Sequence, residues 1–252
     1  NFDSSNSVEF TKNHMSLPII IVMFYLVSIP LGIKYMKYRP AYDMKTSLVS
    51  WNGLLSIFSF IGTFKTTPEL LNQLNSKTFS DTICTPSNLS WANGVCGLWV
   101  TLFIYSKIPE LFDTFFVVMR KKPLLFLHWY HHITVLLYCW HSYATEASQA
   151  LYFVSMNYTV HSIMYGYYCL MILKMKPSWI KPIFITVCQI LQMIVGTVIQ
   201  SISLYKYISG ANCEGINKNN VILGGLMYLS YFGLFTKFAI DRYMVKSKKE
   251  QN

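Results

Sequence analysis

The sequence predicts an all-α integral membrane protein with seven transmembrane helices. Three observations predict it: too few charges for a water-soluble chain, apolar stretches of spanning length, and Lys and Arg gathered on one side of those stretches. Of 252 residues, 53% are apolar and 13% charged, and mean hydropathy is +0.34. A soluble domain carries about 25% charged residues, so half that value points to lipid as the main solvent. Aromatic residues reach 16%, as interfacial belts and a tight bundle require. Seven spans of about 20 residues would use about 140, leaving only short connections. Residues 1–252 therefore read as one membrane-embedded domain, with 1–15 an N-terminal tail and 244–252 a basic C-terminal tail.

Apolar stretches recur at 17–35, 48–64, 91–119, 124–140, 150–173, 180–205 and 221–239. Several are interrupted by polar residues, and hydropathy by itself supports five or six of the seven more readily than all of them. Charge distribution supports the full number. With the N-terminus outside the cytoplasm, cytoplasmic segments hold Lys34, Lys37, Arg39 and Lys45; Arg120, Lys121 and Lys122; Lys174, Lys176 and Lys181; and Lys237, Arg242, Lys246, Lys248 and Lys249. The opposite side holds Lys12, Lys65, Lys77, Lys206 and Lys218. Fifteen against five satisfies the positive-inside rule for an odd number of spans. The net charge of +10 would suggest nucleic acid in a soluble protein, but these charges sit at span ends, and no nucleic-acid partner is expected.

Cys96, Cys139, Cys169 and Cys188 fall inside spans, where small apolar packing is the default role. Cys84 and Cys213 fall in the two longest connections on the non-cytoplasmic side. Both would meet an oxidising lumen in a secretory-pathway membrane, which predicts a disulfide between them. Asn88-Leu89-Ser90 is a glycosylation sequon on that side, close to a membrane entry. Asn157-Tyr158-Thr159 matches the same pattern but lies within a span.

The third stretch contains Lys107-Ile-Pro-Glu110-Leu-Phe-Asp113-Thr114. Spacings of three put Lys107, Glu110 and Asp113 on one helical face, and Pro109 predicts a kink. A charge at the bilayer centre costs ~2.5–3.5 kcal/mol even on insertion scales, so that face points into the bundle. A Lys107–Glu110 pair that merely neutralises itself is one reading; Asp113 suits the orientation of a histidine. The fourth stretch holds His128-Trp129-Tyr130-His131-His132. Positions i, i+3 and i+4 turn all three imidazoles toward one side of a helix. A lone membrane histidine is usually a packing residue, but three within five residues require a polar or water-lined interior. In the fifth stretch Asn157, His161 and Tyr165 stand at i, i+4 and i+8, a polar stripe that antiparallel packing of neighbouring spans would turn toward the cluster. His14 and His141 fall in predicted loops.

Two chemistries suit such a site. Histidines ligate iron in membrane desaturases and hydroxylases, but a two-iron site of that type needs about eight, and this chain has 6. Alternatively, one imidazole is a nucleophile or general base tuned by neighbouring His and Asp. The histidine count favours the second. A seven-span receptor or transporter, with the histidines as a proton or ligand site, is the non-enzymatic alternative.

KIPELFDT (107–114), HWYHH (128–132), NYTVHSIMY (157–165), Gln189-Ile-Leu-Gln192 and Tyr228-Leu-Ser-Tyr231-Phe232 resemble the ELO family of fatty acid elongases. The motifs stand in family order, and the resemblance spans about residues 15–245. It implies a fold in which six of seven transmembrane helices form an inverted barrel around a closed acyl tunnel. It also implies condensation of an acyl-CoA with malonyl-CoA, with loss of carbon dioxide, and a lumenal disulfide at Cys84–Cys213. By this resemblance His131 attacks the acyl thioester and His161 lies close on the facing helix. His128, held by Asp113, and His132 tune the nucleophile, with Asn157 beside them. Lys107, Glu110, Tyr165, Gln189, Gln192 and Tyr231 complete the substrate site. Arg120, Lys121 and Lys122 stand at the cytoplasmic mouth, where coenzyme A phosphates find their usual partners.

No metal and no cofactor are implied. The implied partners are the two CoA substrates, membrane lipid and other enzymes of the elongation cycle, and a homodimer is compatible with the resemblance. The wording around His128 and the Pro within KIPELFDT look like members that extend saturated and monounsaturated chains. Members acting on polyunsaturated chains often carry Gln where this chain has Pro123. The implied location is the endoplasmic reticulum membrane, with a lumenal N-terminus and cytoplasmic C-terminus. Lys248-Lys249 resembles a dilysine retrieval signal out of register by one residue.

Overall fold

The computed structural model describes residues 2–211 and 213–245. Most of the basic C-terminal tail, including Lys248 and Lys249, lies outside the described residues. Ten α-helices make up the described chain: α1 (Ser5–Asn13), α2 (Ser16–Met36), α3 (Lys45–Ser76), α4 (Phe79–Cys84), α5 (Gly94–Ser106), α6 (Phe112–Met119), α7 (Phe126–Ala144), α8 (Ala150–Leu173), α9 (Pro182–Ile208) and α10 (Lys218–Ala239). No β-strand occurs among the described residues; one isolated bridge joins Asp3 and Asn93.

Local sequence explains most boundaries. Pro182 opens α9 at its first turn, where a missing N–H costs nothing. Asn217 caps α10, its side-chain oxygen accepting from the Asn220 N–H at 3.1 Å. Helix α8 ends at Lys174 in the left-handed region, φ 60°. At Pro109 the backbone stays right-handed helical but changes its hydrogen bonding: α5 stops at Ser106, a short 3-10 turn covers Pro109–Leu111, and α6 follows. Helix α3 runs 32 residues, well past the apolar stretch and through Thr66, Thr67 and Pro68, because Leu70 and Gln73 are buried and tertiary packing overrides weak local propensity; hydropathy marks where lipid ends, not where a helix does. His141, expected in a loop, lies in the last turn of α7 for the same reason. The expected N-terminal tail is largely helix α1, tied down by the Trp140 indole N–H on the Thr11 carbonyl at 3.1 Å.

Five helices or helix pairs are long and apolar enough to cross a membrane: Ser16–Met36, Lys45–Ser76, Gly94–Met119, Pro182–Ile208 and Lys218–Met244. Helices α7 and α8 have the length, at 19 and 24 residues, but their His, Asn, Ser and Thr residues dilute the apolar content. They carry the residues singled out above.

Helix α8 packs chiefly along α3 and also touches α9; α9 packs on α10, α10 on α7, and α5 reaches α3, α7 and α8. Helix α2 rests on α6 and α7 and exposes Ile19, Ile20, Met23 and Phe24, an apolar surface suited to lipid. Close approach depends on glycine at two crossings. A Cβ on Gly62 would overlap the Tyr158 ring between α3 and α8, and one on Gly196 would overlap the Tyr228 ring between α9 and α10. Cys84 and Cys213 lie at disulfide distance, with Cα atoms 4.7 Å apart. This pair ties the end of α4 to the segment before α10.

Candidate active site

Three segments distant in sequence surround one cavity of about 490 Å³. Helix α7 contributes His128, His131 and His132; α8 contributes Asn157, His161 and Tyr165; α6 contributes Asp113. Gln189 and Gln192 of α9 line the wall, and Arg120 and the exposed Lys122 line the end nearest the basic connections. The stripe on α8 meets the histidine cluster across this space, rather than through the direct packing of α7 on α8 that the sequence suggested.

The 3-10 turn at Pro109–Leu111 sets the charged residues to separate tasks. The Lys107 ammonium lies 2.7 Å from Glu110 Oε1 and 3.4 Å from Asn157 Oδ1, and 4.1 Å above the Phe103 ring. Both charged side chains are buried and neither lines the cavity. The pair thus braces α5 against Asn157 from behind the wall. Asp113 accepts the Trp51 indole N–H and the Tyr165 hydroxyl, each at 2.6 Å. Its carboxylate stands 3.9 Å from His132 Nε2, beyond hydrogen-bond reach.

The expectation that Asp113 holds His128 is overturned. His128 Nε2 lies 2.9 Å from the Thr114 hydroxyl, which lies 2.6 Å from the Tyr25 hydroxyl. One residue along a helix turns the side chain by about 100°. Asp113 therefore faces α3 and α8, while Thr114 faces α2 and α7.

His131, His132 and His161 differ from His128. Among the described residues, none of the three imidazoles has a hydrogen-bond partner, and all three line the cavity. The backbone of His131 is held instead: its carbonyl accepts from the Tyr231 hydroxyl at 3.2 Å and the Thr134 hydroxyl at 3.4 Å, and the Tyr231 ring packs 5.1 Å from its own. Tyr231 supports this turn from behind and does not line the cavity. Gln189 Nε2 lies 3.3 Å from Met164 Sδ, while the buried Gln192 amide makes no hydrogen bond among the described residues. Lys121 is turned away from the cavity, donating to the Lys37 carbonyl at 3.3 Å. Among the described residues no three His, Cys, Asp or Glu side chains converge as metal ligands.

Three residues of this network escaped the sequence reading. Trp51 and Tyr25 look like ordinary span aromatics, and no spacing marks them. Thr114 does stand inside a quoted motif, but a lone hydroxyl in an apolar helix usually bonds its own backbone.

Comparison with known proteins bears on this arrangement. The chain matches the profile of the ELO family, described as the GNS1/SUR4 family, over residues 10–251. It is 42% identical over 222 residues to the fruit-fly (Drosophila melanogaster) protein named very long chain fatty acid elongase 6, covering 87% of this chain and 70% of that one. It is 36% identical over 248 residues to the Gallus gallus protein of the same name, covering 98% and 92%. A Trypanosoma cruzi protein named fatty acid elongase 3 is 37% identical over 267 residues, covering 94% and 87%. With the motif-bearing helices gathered around one cavity and the match running almost end to end, the chain belongs to the ELO family.

Proposed function

We propose that this elongase joins a long-chain acyl-CoA to malonyl-CoA through a covalent intermediate on His131. The His131 imidazole, held by its backbone and free at its ring nitrogens, attacks the thioester carbonyl. Coenzyme A leaves as the thiolate and takes the proton that the imidazole loses. Malonyl-CoA then sheds its carboxylate as carbon dioxide, and the carbanion left at its central carbon attacks the acyl-imidazole. The C–N bond breaks, the imidazole regains a proton, and 3-oxoacyl-CoA two carbons longer is released. His161 acts beside His131, while His128, His132, Asp113 and Asn157 set geometry. This chemistry uses no metal and no cofactor.

The observation that carries this reading is the set of unpartnered imidazoles, His131 and His132 on α7 and His161 on α8, lining one cavity whose end is lined by Arg120 and Lys122. Buried polar groups are normally hydrogen-bonded, so open ring nitrogens mark groups reserved for a substrate. The two cationic side chains suit coenzyme A phosphates. Gln192 and Tyr165 belong to the substrate wall; Lys107, Glu110 and Tyr231 act through the residues they brace.

The same reading extends to topology. Helices α7 and α8 complete seven spans, and α3, α5–α6, α7, α8, α9 and α10 form a six-helix barrel, with α2 outside it. The helix pairings support this, since each of the six meets its neighbours around the cavity. The single domain lies in the endoplasmic reticulum membrane, with the disulfide in the lumen and the basic end in the cytoplasm. Saturated and monounsaturated chains are the proposed substrates.

Purified protein incubated with labelled malonyl-CoA and a panel of acyl-CoAs, without added metal, should yield labelled 3-oxoacyl-CoA. No product at any chain length would end this reading. Activity that required iron, oxygen and an electron donor would replace it with the oxidoreductase alternative.

A further inference from the structure

The hydroxyl chain Tyr25–Thr114–His128 joins the histidine cluster to α2, the helix that lies on the outside of the bundle. We propose that Tyr25 is a positioning residue that acts through Thr114 to fix His128 with its ring proton on Nδ1.

The argument is one of donor counting. Tyr25 and Thr114 each own one hydroxyl proton, and a neutral imidazole owns one N–H. With oxygens 2.6 Å apart and Nε2 2.9 Å from Thr114 Oγ1, the chain can run in two directions. If Tyr25 donates to Thr114 and Thr114 donates to Nε2, both hydroxyl protons have acceptors and the imidazole N–H is left on Nδ1, on a ring that lines the cavity. If His128 Nε2–H donates to Thr114 and Thr114 to Tyr25, the phenol proton is left over. Tyr25 is only 6% exposed and stands beside an apolar groove lined by Ile21, Phe24, Ile29, Phe112 and Phe115. The Tyr25 hydroxyl has no other partner among the described residues. A stranded donor there carries a desolvation penalty, so the first direction wins.

Thr114 stands apart from the other helical threonines here in bonding side chains alone. Thr63, Thr66, Thr101 and Thr159 each donate to the carbonyl four residues back, the ordinary habit of a helical threonine. Thr114, 3% exposed, makes no such bond and gives its hydroxyl to the bridge. With Nε2 occupied, His128 cannot attack a thioester through that atom. It can offer only an Nδ1–H donor, beside His132, whose ring centroid is 4.6 Å away. The outer helix therefore selects the tautomer of a cavity histidine, a role distinct from anchoring in lipid.

This inference rests on the elongase reading for its kinetic arm alone. The first measurement is the ¹⁵N spectrum of histidine-labelled protein, with His128 assigned by comparison with His128→Gln. Wild type should show Nδ1 protonated and Nε2 as acceptor; Tyr25→Phe should show a mixture of tautomers. The second is steady-state condensation. Losing one hydrogen bond in the chain should lower kcat by about fivefold in Tyr25→Phe, with both KM values within about twofold. Thr114→Val should lower kcat by about fiftyfold and Thr114→Ser should recover it to within about threefold, because serine restores the bridging hydroxyl. Should Thr114→Val fail to fold, the spectrum and Tyr25→Phe decide the matter. An Nε2-protonated His128 in wild type overturns the proposal, as does a Tyr25→Phe enzyme with unchanged tautomer and kcat. If wild type makes no 3-oxoacyl product, the elongase reading fails, while the spectrum still tests the relay.

Discussion

Along α7, His128, His131 and His132 face an open cavity, whereas Tyr138, His141 and Ser142, about 15 Å further along the same helix, face other side chains. The second group surrounds Asn220, which is fully buried. Tyr138 accepts from Gln200 Nε2 at 2.7 Å and donates to Asn220 Oδ1 at 3.2 Å. Asn220 Nδ2 donates to Ser142 at 2.7 Å and lies 3.3 Å from His141 Nδ1. Gly224 makes the room, since a Cβ there would overlap both Gln200 and Tyr138. The two clusters are similarly polar in sequence. One is filled and bonded, with Gln200 Oε1 its one buried unpaired side-chain atom among the described residues; the other leaves imidazoles facing space. Neither polarity inside an apolar helix nor a missing partner is a sign of function by itself. Unpartnered titratable groups lining an open cavity are.

Substitution should separate the two clusters cleanly. His131→Ala should reduce 3-oxoacyl-CoA formation by about a thousandfold or more, as loss of a covalent nucleophile does, while the purified variant keeps its wild-type melting temperature. Mass spectrometry of protein quenched with acyl-CoA should find the acyl adduct on wild type only. An adduct that persists in His131→Ala would move the nucleophile elsewhere, His161 first. Asn220→Leu should act the other way. It strands several donors and acceptors in the interior, at a cost of about 2–4 kcal/mol in unfolding free energy, yet kcat per folded molecule should stay within about twofold. Thermal unfolding in detergent beside the activity of the soluble fraction measures both. An Asn220→Leu protein of normal stability and poor activity would mean that the second cluster also serves the reaction.

The difference between the clusters also explains what the sequence could reveal. The three histidines on α7 and the Asn157, His161, Tyr165 stripe were legible because spacing on one helix decides which side chains share a face. The membrane setting was legible because composition reports the solvent. What joins separate helices was not. Asp113 was expected to hold His128, and a one-residue turn of α6 gave that task to Thr114 instead. Tyr25 and Trp51 became members of the network through contacts 89 and 62 residues away in sequence, distances at which periodicity carries no information. Helix ends were also obscured. Hydropathy stopped α3 near Phe64, and the helix continues to Ser76, because backbone hydrogen bonding does not require an apolar side chain. The count of spans sits between these cases, since five helices or helix pairs stand out by length and apolar content, while α7 and α8, which carry the histidine cluster and the Asn157 stripe, do not.

The smallest predicted effect tests the outer end of the cavity, where two adjacent lysines have opposite placements. Lys122 lines the cavity and Lys121 does not, its ammonium donating to the Lys37 carbonyl at 3.3 Å. Both are exposed, so under the proposed reading any attraction to a coenzyme A phosphate acts through water and salt, and small effects are expected. Lys122→Ala should raise the acyl-CoA KM by about threefold to tenfold at low ionic strength, with kcat little changed. Lys121→Ala should shift it by less than about twofold. Raising the salt concentration should shrink the Lys122 effect, since a screened charge contributes less to phosphate binding. Equal effects from the two variants would mean that the basic end acts through its summed charge. A difference confined to Lys122 would mean that a lysine must reach into the cavity to be felt by the substrate.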